Sequence, residues 1–238
     1  TSKLNDIHGD KIENIADELK QMQENLPLSK DLKLNIENTN LHAGKILVTA
    51  KDINFGYNSL FLWENPLNFQ IRSGDRIAIP GNNGAGKSTL IKLILGKLEP
   101  QTGTLTKIDF SSLYIDQEYS IINDKLTVYE QIQQYNEQYL EHELKMFLHR
   151  FLFTSDTWDK PCGKLSGGEK MKLLFCCLQV NNKIPDVFVL DEPTNNLDIK
   201  SLEVVTSVVK SYQGTILLIS HDRYFIDEIG INKEIMLL

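Results

Sequence analysis

Cysteine and long apolar runs are both scarce in this sequence. It has three cysteines, Cys162, Cys176 and Cys177. None has the spacing of a metal site, and the two adjacent residues are poor partners for a disulfide, so we predict reduced thiols packed inside a cytoplasmic protein. No apolar run approaches the roughly 18 to 20 residues that span a bilayer, and the first residues lack the pattern of a signal peptide. The sequence therefore predicts no membrane partner.

Positive charge is also in short supply. The chain has 25 lysines and arginines against 32 aspartates and glutamates, which gives a formal net charge of −7. A surface of this charge is not expected to bind nucleic acid over its whole extent, although a local basic patch is compatible with it. The 238 residues, 41% hydrophobic and 24% charged, are enough to bury a sizeable core in one large domain or two small ones.

The most informative segment is GNNGAGKST, at residues 81–89. It fits G-x-x-x-x-G-K-[ST], the phosphate-binding P-loop. It stands between IRSGDRIAIP, typical of a short apolar strand, and TLIKLILGKL, typical of an amphipathic helix, which is the context that a P-loop needs. Glycines let the backbone turn so that successive N–H groups and the helix N-terminus converge on phosphate oxygens.

This segment predicts a nucleoside triphosphate site. Lys87 would reach the β- and γ-phosphates, and the Ser88 hydroxyl would bind Mg²⁺. The predicted nucleotide-binding residues of the loop are Gly81, Asn82, Asn83, Gly84, Ala85, Gly86, Lys87, Ser88 and Thr89.

An aromatic residue before the P-loop is a candidate for stacking on the base. The alternating segments ILVTAKDINFGY and LNFQIRSGDRIAIP predict half-buried antiparallel strands, with Tyr57 at the tip of their sheet. A ring there could stack on an adenine face, as aromatic rings stack on bases in nucleic-acid sites. Phe61 and Trp63 are rival candidates, and a tyrosine packed in a loop is the plainer interpretation.

Polar side chains follow three further predicted strands. Gln117 follows SSLYID and could meet Mg²⁺ or the attacking water. Asp191 and Glu192 follow the apolar VFVL. The first has the position of a Walker-B aspartate, which holds Mg²⁺, and the second could polarise the attacking water as general base. His221 follows TILLIS, and its imidazole could hydrogen-bond the γ-phosphate or the water.

These residues complete the predicted chemistry. The predicted catalytic residues are Glu192, His221, Gln117 and Lys87. The predicted metal ligands are Ser88, Gln117 and Asp191.

The segment LSGGEK is a second helix start with anion-binding character. Ser166 suits an N-cap, Gly167 and Gly168 leave N–H groups accessible, and Glu169 follows before a predicted buried helix. One γ-phosphate hardly needs two such sites from the same molecule. We therefore predict that these four residues contact a nucleotide bound to another copy; an ordinary capped helix is the alternative.

Two segments have helical periodicity. In the first, five apolar residues recur at gaps of three and four up to Pro27: Ile12, Ile15, Leu19, Met22 and Leu26. Two heptads are too few for a coiled coil, so this stripe predicts either a helix that needs a partner or one packed on the domain surface. In the second, residues 121–153, an apolar stripe predicts a helical insert that caps the sheet: Leu140, Leu144, Phe147, Leu148 and Phe151.

Taken in order, the P-loop, Gln117, LSGGE, VFVLDEP, the NNLD turn and SHD resemble the complete motif set of the ATP-binding-cassette (ABC) ATPases. The resemblance covers roughly residues 45–238. It implies an α/β fold of the P-loop NTPase class, with a mixed core sheet, an antiparallel β subdomain and a helical subdomain at about 118–180. Residues 1–44 would then be the end of a helical linker and a connecting segment.

Within this superfamily, LDEPTNNLD and ISHDRYFIDEI look like the F subfamily (ABC-F). Its members carry two cassettes on one chain, lack membrane domains and act on ribosomes in translation, and some protect against ribosome-targeting antibiotics. The resemblance implies ATP and Mg²⁺ as cofactors, Asp198 in the D-loop and a cytoplasmic location. It also implies a second cassette as partner, in the same chain or a homodimer, and ribosome or ribosomal RNA contact for the full-length protein.

The chain departs from the ABC-F pattern in three places. It has one copy of each motif and begins at Thr1, so we interpret it as one cassette, the C-terminal one with the end of the inter-cassette linker, or as a cassette that pairs with itself. Asn196 stands where the subfamily usually has histidine. Pro80 stands where an aliphatic residue usually precedes the P-loop, a place where the end of a strand tolerates proline.

Two other functions stay open at this point. A nucleotide-binding subunit of a membrane transporter would need a groove in the helical insert to receive a coupling helix. A non-catalytic module would use ATP only as a clamp, and the presence of Glu192 and His221 counts against it.

Overall fold

The computed structural model describes residues 41–58, 60–136, 138–181, 183–195 and 197–237. The predicted apolar stripe at 12–26, most of the predicted connecting segment and Asn196 therefore lie outside the described residues. The boundaries that we predicted for the domains stay predictions.

An antiparallel sheet comes first in the described chain. Its strands are β1 (Ile46–Asn54), β4 (Leu67–Arg72) and β6 (Thr102–Lys107), and β1 lies in the middle and pairs antiparallel with both neighbours. Between β1 and β4 the chain forms a short hairpin of β2 (Gly56–Tyr57) and β3 (Leu60–Phe61). Tyr57 lies in this hairpin. The alternating pattern predicted it at the tip of the antiparallel sheet itself, whereas the structure places it in a separate two-stranded pairing.

A five-stranded sheet forms the centre of the fold. Its strands are β5 (Arg76–Ala78), β7 (Ser112–Ile115), β8 (Val187–Asp191), β9 (Thr215–Ile219) and β10 (Lys233–Glu234). Their spatial order is β10-β5-β9-β8-β7, and every pairing is parallel. Asp191 ends β8, and the P-loop, Gln117 and His221 follow other strands of this sheet, so parallel pairing brings them to one edge.

Both faces of β8 and β9 are buried, which explains their uninterrupted apolar sequences. Phe188, Leu190, Ile216 and Leu218 belong to a core shared with the helices that follow the P-loop helix. Val187, Val189, Leu217 and Ile219 belong to a second core, shared with the antiparallel sheet and the P-loop helix. The structure confirms the predicted α/β class with antiparallel and parallel sheets.

Six α-helices surround the sheets in the described part of the chain. They are α1 (Lys87–Ile94), α2 (Val128–Gln133), α3 (Glu141–Arg150), α4 (Gly167–Asn181), α5 (Ile199–Ser211) and α6 (Arg223–Glu228). Two 3₁₀ turns, Ser155–Thr157 and Cys162–Lys164, precede α4. None of the described helices is both long and apolar enough to span a bilayer.

The predicted helical insert is divided into two short helices. A capping box starts α2, because Thr127 Oγ1 accepts the Glu130 N–H at 3.2 Å and the Glu130 carboxylate accepts the Thr127 N–H at 2.8 Å. The Glu143 carboxylate accepts the Leu140 N–H at 2.7 Å and so starts α3. Leu140 therefore precedes the helix and is 62% exposed, contrary to its place in the predicted apolar stripe.

The three cysteines are packed in the interior. Cys162 lies in the turn before α4, and Cys176 and Cys177 lie in α4; all three are free and buried. Burial raises the pKa of the Cys162 thiol to about 11. The predicted packed, unpaired thiols agree with the structure.

Arg76 in β5 joins the ends of two helices to the central sheet. Its guanidinium donates to the carbonyl oxygens of Val209, Lys210 and Tyr212 at the end of α5 and of Ile229 just after α6, the last at 2.6 Å. The last carbonyls of a helix lack their usual i+4 partners, and the planar fork of Arg76 donates to several of them at once.

We expect Arg76→Lys to destabilise the protein by about 1–3 kcal/mol, because a lysine cannot reach all of these carbonyls and removes hydrogen bonds from partly buried acceptors. Arg72→Lys is the matched control, since Arg72 donates to Gly44 and Gln70 at the exposed surface, and we expect it to stay within about 0.5 kcal/mol. Urea unfolding measures both. Equal losses in the two variants would contradict the role of Arg76.

Candidate nucleotide-binding site

A cleft of about 620 Å³ opens at the carboxyl edge of the central sheet. The structure brings ten of the predicted residues together in its lining: Tyr57, Asn83, Gly84, Gly86, Lys87, Ser88, Thr89, Gln117, Asp191 and Glu192. His221 does not line the cleft, but its Nε2 lies 3.5 Å from Oε1 of Glu192, which does. The four residues of LSGGE that we singled out do not line this cleft.

The P-loop has the backbone that its glycines permit. Gly84 and Gly86 have φ angles of +86° and +90°, in a region where other residues are strained. Gly86 is the N-cap of α1 and has no side chain to cap the helix. The first N–H groups of α1 therefore lack internal partners and are available to an anion.

The Lys87 ammonium lies over the loop from which it projects. Its Nζ donates to the carbonyl oxygens of Gly81 and Asn82, at 2.6 and 3.1 Å. The positive charge and the unpaired helix N–H groups thus face the same loop, a combination that suits a chain of phosphates.

Tyr57, the predicted base-stacking residue, lines the cleft and is accessible. It is 52% exposed, its hydroxyl is 3.3 Å from Thr89 Oγ1, and its ring contacts Phe55 edge to face at 5.2 Å. Phe61 is 57% exposed but is not part of the cleft lining. Trp63 is 2% exposed and lies under the P-loop, so this rival candidate is wrong as a stacking residue.

Side chains with oxygen atoms that could hold a divalent cation line the cleft. Ser88, Gln117 and Asp191 all line it, and hydroxyl, amide and carboxylate oxygens are the donors that Mg²⁺ takes. The Tyr114 hydroxyl donates to Asp191 Oδ2 at 2.7 Å. Burial, and then this hydrogen bond, raise the pKa of Tyr114, so the phenol stays a donor. Tyr114 was not predicted from the sequence, because its contact with Asp191 depends on the pairing of β7 with β8.

Glu192 has an unusual backbone at the end of β8. Its φ is +49°, a left-handed conformation that costs a non-glycine residue stability and that clusters at functional sites. Its N–H donates to the Ile219 carbonyl at 2.8 Å. Glu192 Oε1 is 3.5 Å from His221 Nε2, with the carboxylate side chain 12% exposed and the imidazole 65% exposed. The strained turn thus holds the carboxylate between the cleft and the histidine.

LSGGE forms the start of α4 by a reciprocal cap. Ser166 Oγ accepts the Glu169 N–H at 3.2 Å, and Glu169 Oε2 accepts the Ser166 N–H at 2.7 Å. Partial burial raises the pKa of Glu169, but the hydrogen bonds from Ser166 and the charge of Lys160 outweigh it and lower this pKa overall. Ser166 itself is exposed.

Gly168 and Asp198 fix α4 against α5. A Cβ on Gly168 would lie 2.7 Å from Ser201 Cβ, so only glycine allows this approach. Asp198 is the N-cap of α5 and accepts the Ser201 N–H at 2.9 Å and the Ser201 hydroxyl at 2.7 Å, which lower the pKa of Asp198. The predicted D-loop residue and the LSGGE helix are therefore packed as one unit.

Fold and cleft together define an ATPase cassette of the P-loop class. The family model described as "ABC transporter" matches residues 64–195 of the chain. The chain therefore belongs to the ABC transporter family, as an ABC ATPase domain, whose reaction is the hydrolysis of ATP to ADP and phosphate.

Relatives agree with the F-type resemblance. ABC transporter F family member 5 of Arabidopsis thaliana is 40% identical over 79% of this chain and 27% of its own length. Member 2 of the same organism is 38% identical over 84% of this chain and 29% of its own length. The predicted resemblance to ABC-F is confirmed. The chain spans less than a third of the length of these relatives.

One similar solved structure is the archaeal ribosome recycling factor aABCE1 in complex with the ribosomal stalk protein aP1. It is 25% identical, covers 84% of this chain and 39% of its own, and superposes with a TM-score of 0.60.

We expect Tyr57→Ala to weaken ATP binding about tenfold, because stacking on a base contributes about 1–3 kcal/mol. Phe61→Ala is the matched control, since it removes an equally exposed ring from the same hairpin but outside the cleft. Isothermal titration calorimetry with ATP measures both. An equal loss for the two variants, or no loss for Tyr57→Ala, would remove Tyr57 from this role.

Proposed function

We propose that this chain is the ATP-binding and ATP-hydrolysing cassette of an ABC-F protein that acts on the ribosome, in translation or in antibiotic protection. The observation that supports it best is the distribution of the motifs. The P-loop, Gln117, Asp191 and Glu192 share one cleft, whereas Ser166 lies on an exposed helix start outside it.

The phosphate chain would bind along the P-loop. Lys87 would give up its hydrogen bonds to the Gly81 and Asn82 carbonyls and donate to the β- and γ-phosphates instead. The amides of the loop and of the start of α1 would surround the phosphate oxygens. Mg²⁺ would be held by Ser88, Asp191 and Gln117, and it would neutralise charge on the phosphates. Tyr114 would keep the Asp191 carboxylate oriented toward the cleft.

Hydrolysis needs a water held in line with the γ-phosphate. Glu192 would accept a proton from that water. His221, whose Nε2 is 3.5 Å from Glu192 Oε1, would orient Glu192 or contact the γ-phosphate. Phosphoryl transfer depends mostly on positioning and on charge neutralisation, and these residues supply both.

A second cassette would complete the site. In a head-to-tail pair, Ser166, Gly167 and Gly168 of one cassette would face the γ-phosphate bound to the other, with Asp198 near the contact. ATP at this interface would favour the closed pair and hydrolysis would release it, since a ligand shifts an equilibrium toward the state it binds better. The partner is a second cassette in the full-length chain or another copy of this one.

The ribosome is proposed as the target because of the relatives. They are F-family members, and the solved structure of similar fold is named as a ribosome recycling factor bound to a ribosomal stalk protein. A cytoplasmic location and contact with ribosomal RNA by the full-length protein follow from this proposal.

Glu192→Gln should leave ATP binding nearly intact and slow turnover by ~10²–10⁴, the usual effect of losing a general base. Glu203→Gln makes the same change on the exposed face of α5 and serves as control. Phosphate release in the steady state measures turnover. If Glu192→Gln hydrolyses ATP as fast as the wild type, Glu192 is not the base; if the wild type binds ATP without turnover, the chain is a clamp.

Ser166→Glu, in a Glu192→Gln background that retains ATP, should abolish ATP-dependent association, because a carboxylate would face the γ-phosphate of the partner. Ser166→Ala removes the same helix cap without adding charge and should still associate. Light scattering reports the mass with and without ATP. An unchanged dimer mass for Ser166→Glu would contradict the head-to-tail arrangement.

A groove next to Gln117 favours a second candidate, the nucleotide-binding subunit of a transporter. It has a volume of about 700 Å³, and its lining includes Glu118, Tyr119, Asn123, Asp124 and Lys170. Such a groove could receive a helix of a membrane partner. Co-sedimentation of the full-length protein with ribosomes supports the F-type function, whereas co-purification with a membrane protein supports the transporter.

A further inference from the structure

Trp63 lies directly beneath the P-loop. It belongs to the connection between β3 and β4 and is 2% exposed. Its indole Nε1–H donates to the Ala85 carbonyl at 3.1 Å. A tryptophan has one donor, and here that donor is used on the backbone of the loop.

This hydrogen bond sets the direction of a peptide group. The Ala85–Gly86 peptide is trans, and in a planar trans peptide the C=O and the following N–H point in opposite directions. Because the Ala85 carbonyl faces the indole, the Gly86 N–H faces away from it, and Gly86 lines the nucleotide cleft. The indole therefore holds one of the loop amides toward the position of the phosphates.

The indole also fills the space under the loop. A Cβ built on Gly86 would lie 3.0 Å from Trp63 Nε1 and 3.2 Å from Leu62 Cδ1. The alternative orientation, with the peptide flipped, would aim the Gly86 N–H at a group that only donates. It would also leave the indole N–H without its acceptor, at the cost of burying an unpaired donor.

The backbone of Trp63 is itself clamped. Asn54 is 4% exposed, and its Nδ2 donates to the Trp63 carbonyl at 2.7 Å, while its Oδ1 accepts the Phe55 N–H at 2.9 Å. Phe55 begins the segment that leads to Tyr57 and packs against its ring. Asn54 and Trp63 thus connect the hairpin of the base-stacking candidate to the phosphate loop.

We infer that Trp63 is a positioning residue of the nucleotide site. Its indole N–H fixes the Ala85–Gly86 peptide so that the Gly86 N–H is ready to bind the β-phosphate. The inference rests on the phosphate-binding role proposed for the loop, and it assigns to Trp63 a function different from base stacking.

Trp63→Phe tests it, because phenylalanine keeps an aromatic ring and loses the N–H. Trp158→Phe is the matched control: the Trp158 indole also donates to a backbone carbonyl, that of Phe153 at 3.2 Å, but in the helical part of the fold. The affinities of ADP and AMP are measured by competition with a fluorescent ADP analogue. ADP has the β-phosphate and AMP does not.

We expect Trp63→Phe to weaken ADP binding about fivefold to tenfold, the loss of one hydrogen bond, and to change AMP binding by less than about twofold. Trp158→Phe should bind both like the wild type. Three outcomes would overturn this inference and leave the proposed function intact. Trp63→Phe could bind ADP like the wild type, it could lose as much affinity for AMP as for ADP, or Trp158→Phe could show the same loss. A wild-type protein that does not bind ADP would overturn the proposed function as well.

A second measurement does not require a change at position 63. The chain has two tryptophans, so Trp158→Phe leaves Trp63 as the sole indole. Saturating ADP should change its emission, because the phosphates bind to the loop that accepts its hydrogen bond. Unchanged Trp63 emission would contradict the inference even if Trp63→Phe proved too unstable to study.

Discussion

Parallel pairing of the four adjacent strands β5, β9, β8 and β7 is the constraint on which the site depends. Parallel strands present their carboxyl ends at the same edge, so residues far apart in the chain meet there. The register aligns Asp191 with Ile219, and the next hydrogen bond, from the Glu192 N–H to the Ile219 carbonyl, ends β8 in a left-handed turn. Because both faces of β8 and β9 are buried, a slip of this register would disrupt the packing of both cores and move the candidate site residues at the ends of the strands.

The P-loop and the LSGGE helix start are built differently. In the P-loop, the Ala85 carbonyl accepts a hydrogen bond from Trp63, and the Lys87 ammonium donates to the carbonyls of Gly81 and Asn82. The LSGGE helix start already satisfies one N–H through the Ser166 hydroxyl and is held in place by the close contact of Gly168 with Ser201. The P-loop residues line a cleft, whereas Ser166 lies on an exposed helix start outside that cleft. This geometry is why we propose a facing cassette and not a self-contained enzyme.

Short motifs predicted the fold class and most of the residues that line the candidate cleft, because their geometry is local: a P-loop needs only a strand, glycines and a helix. The residues that sequence reasoning missed act over long separations. Tyr114 meets Asp191 across 77 positions, and no local pattern indicates which strands will be neighbours. Trp63 was a candidate for base stacking because an aromatic residue near a P-loop suggests that role. Only its burial in the folded chain, at 2% exposed, rules the role out. The helical insert is divided where Glu130 and Glu143 cap the starts of α2 and α3. The spacing of apolar residues does not reveal such caps.

The burial of Cys162, Cys176 and Cys177 has a practical consequence. A single cysteine introduced at an exposed position such as Ile199, 78% exposed beside the D-loop, would be the one thiol open to a spin or fluorescent label in the folded protein. With such a label on each of two cassettes, the distance between the cassettes could be measured by spectroscopy. The native sequence could stay otherwise intact during such distance measurements.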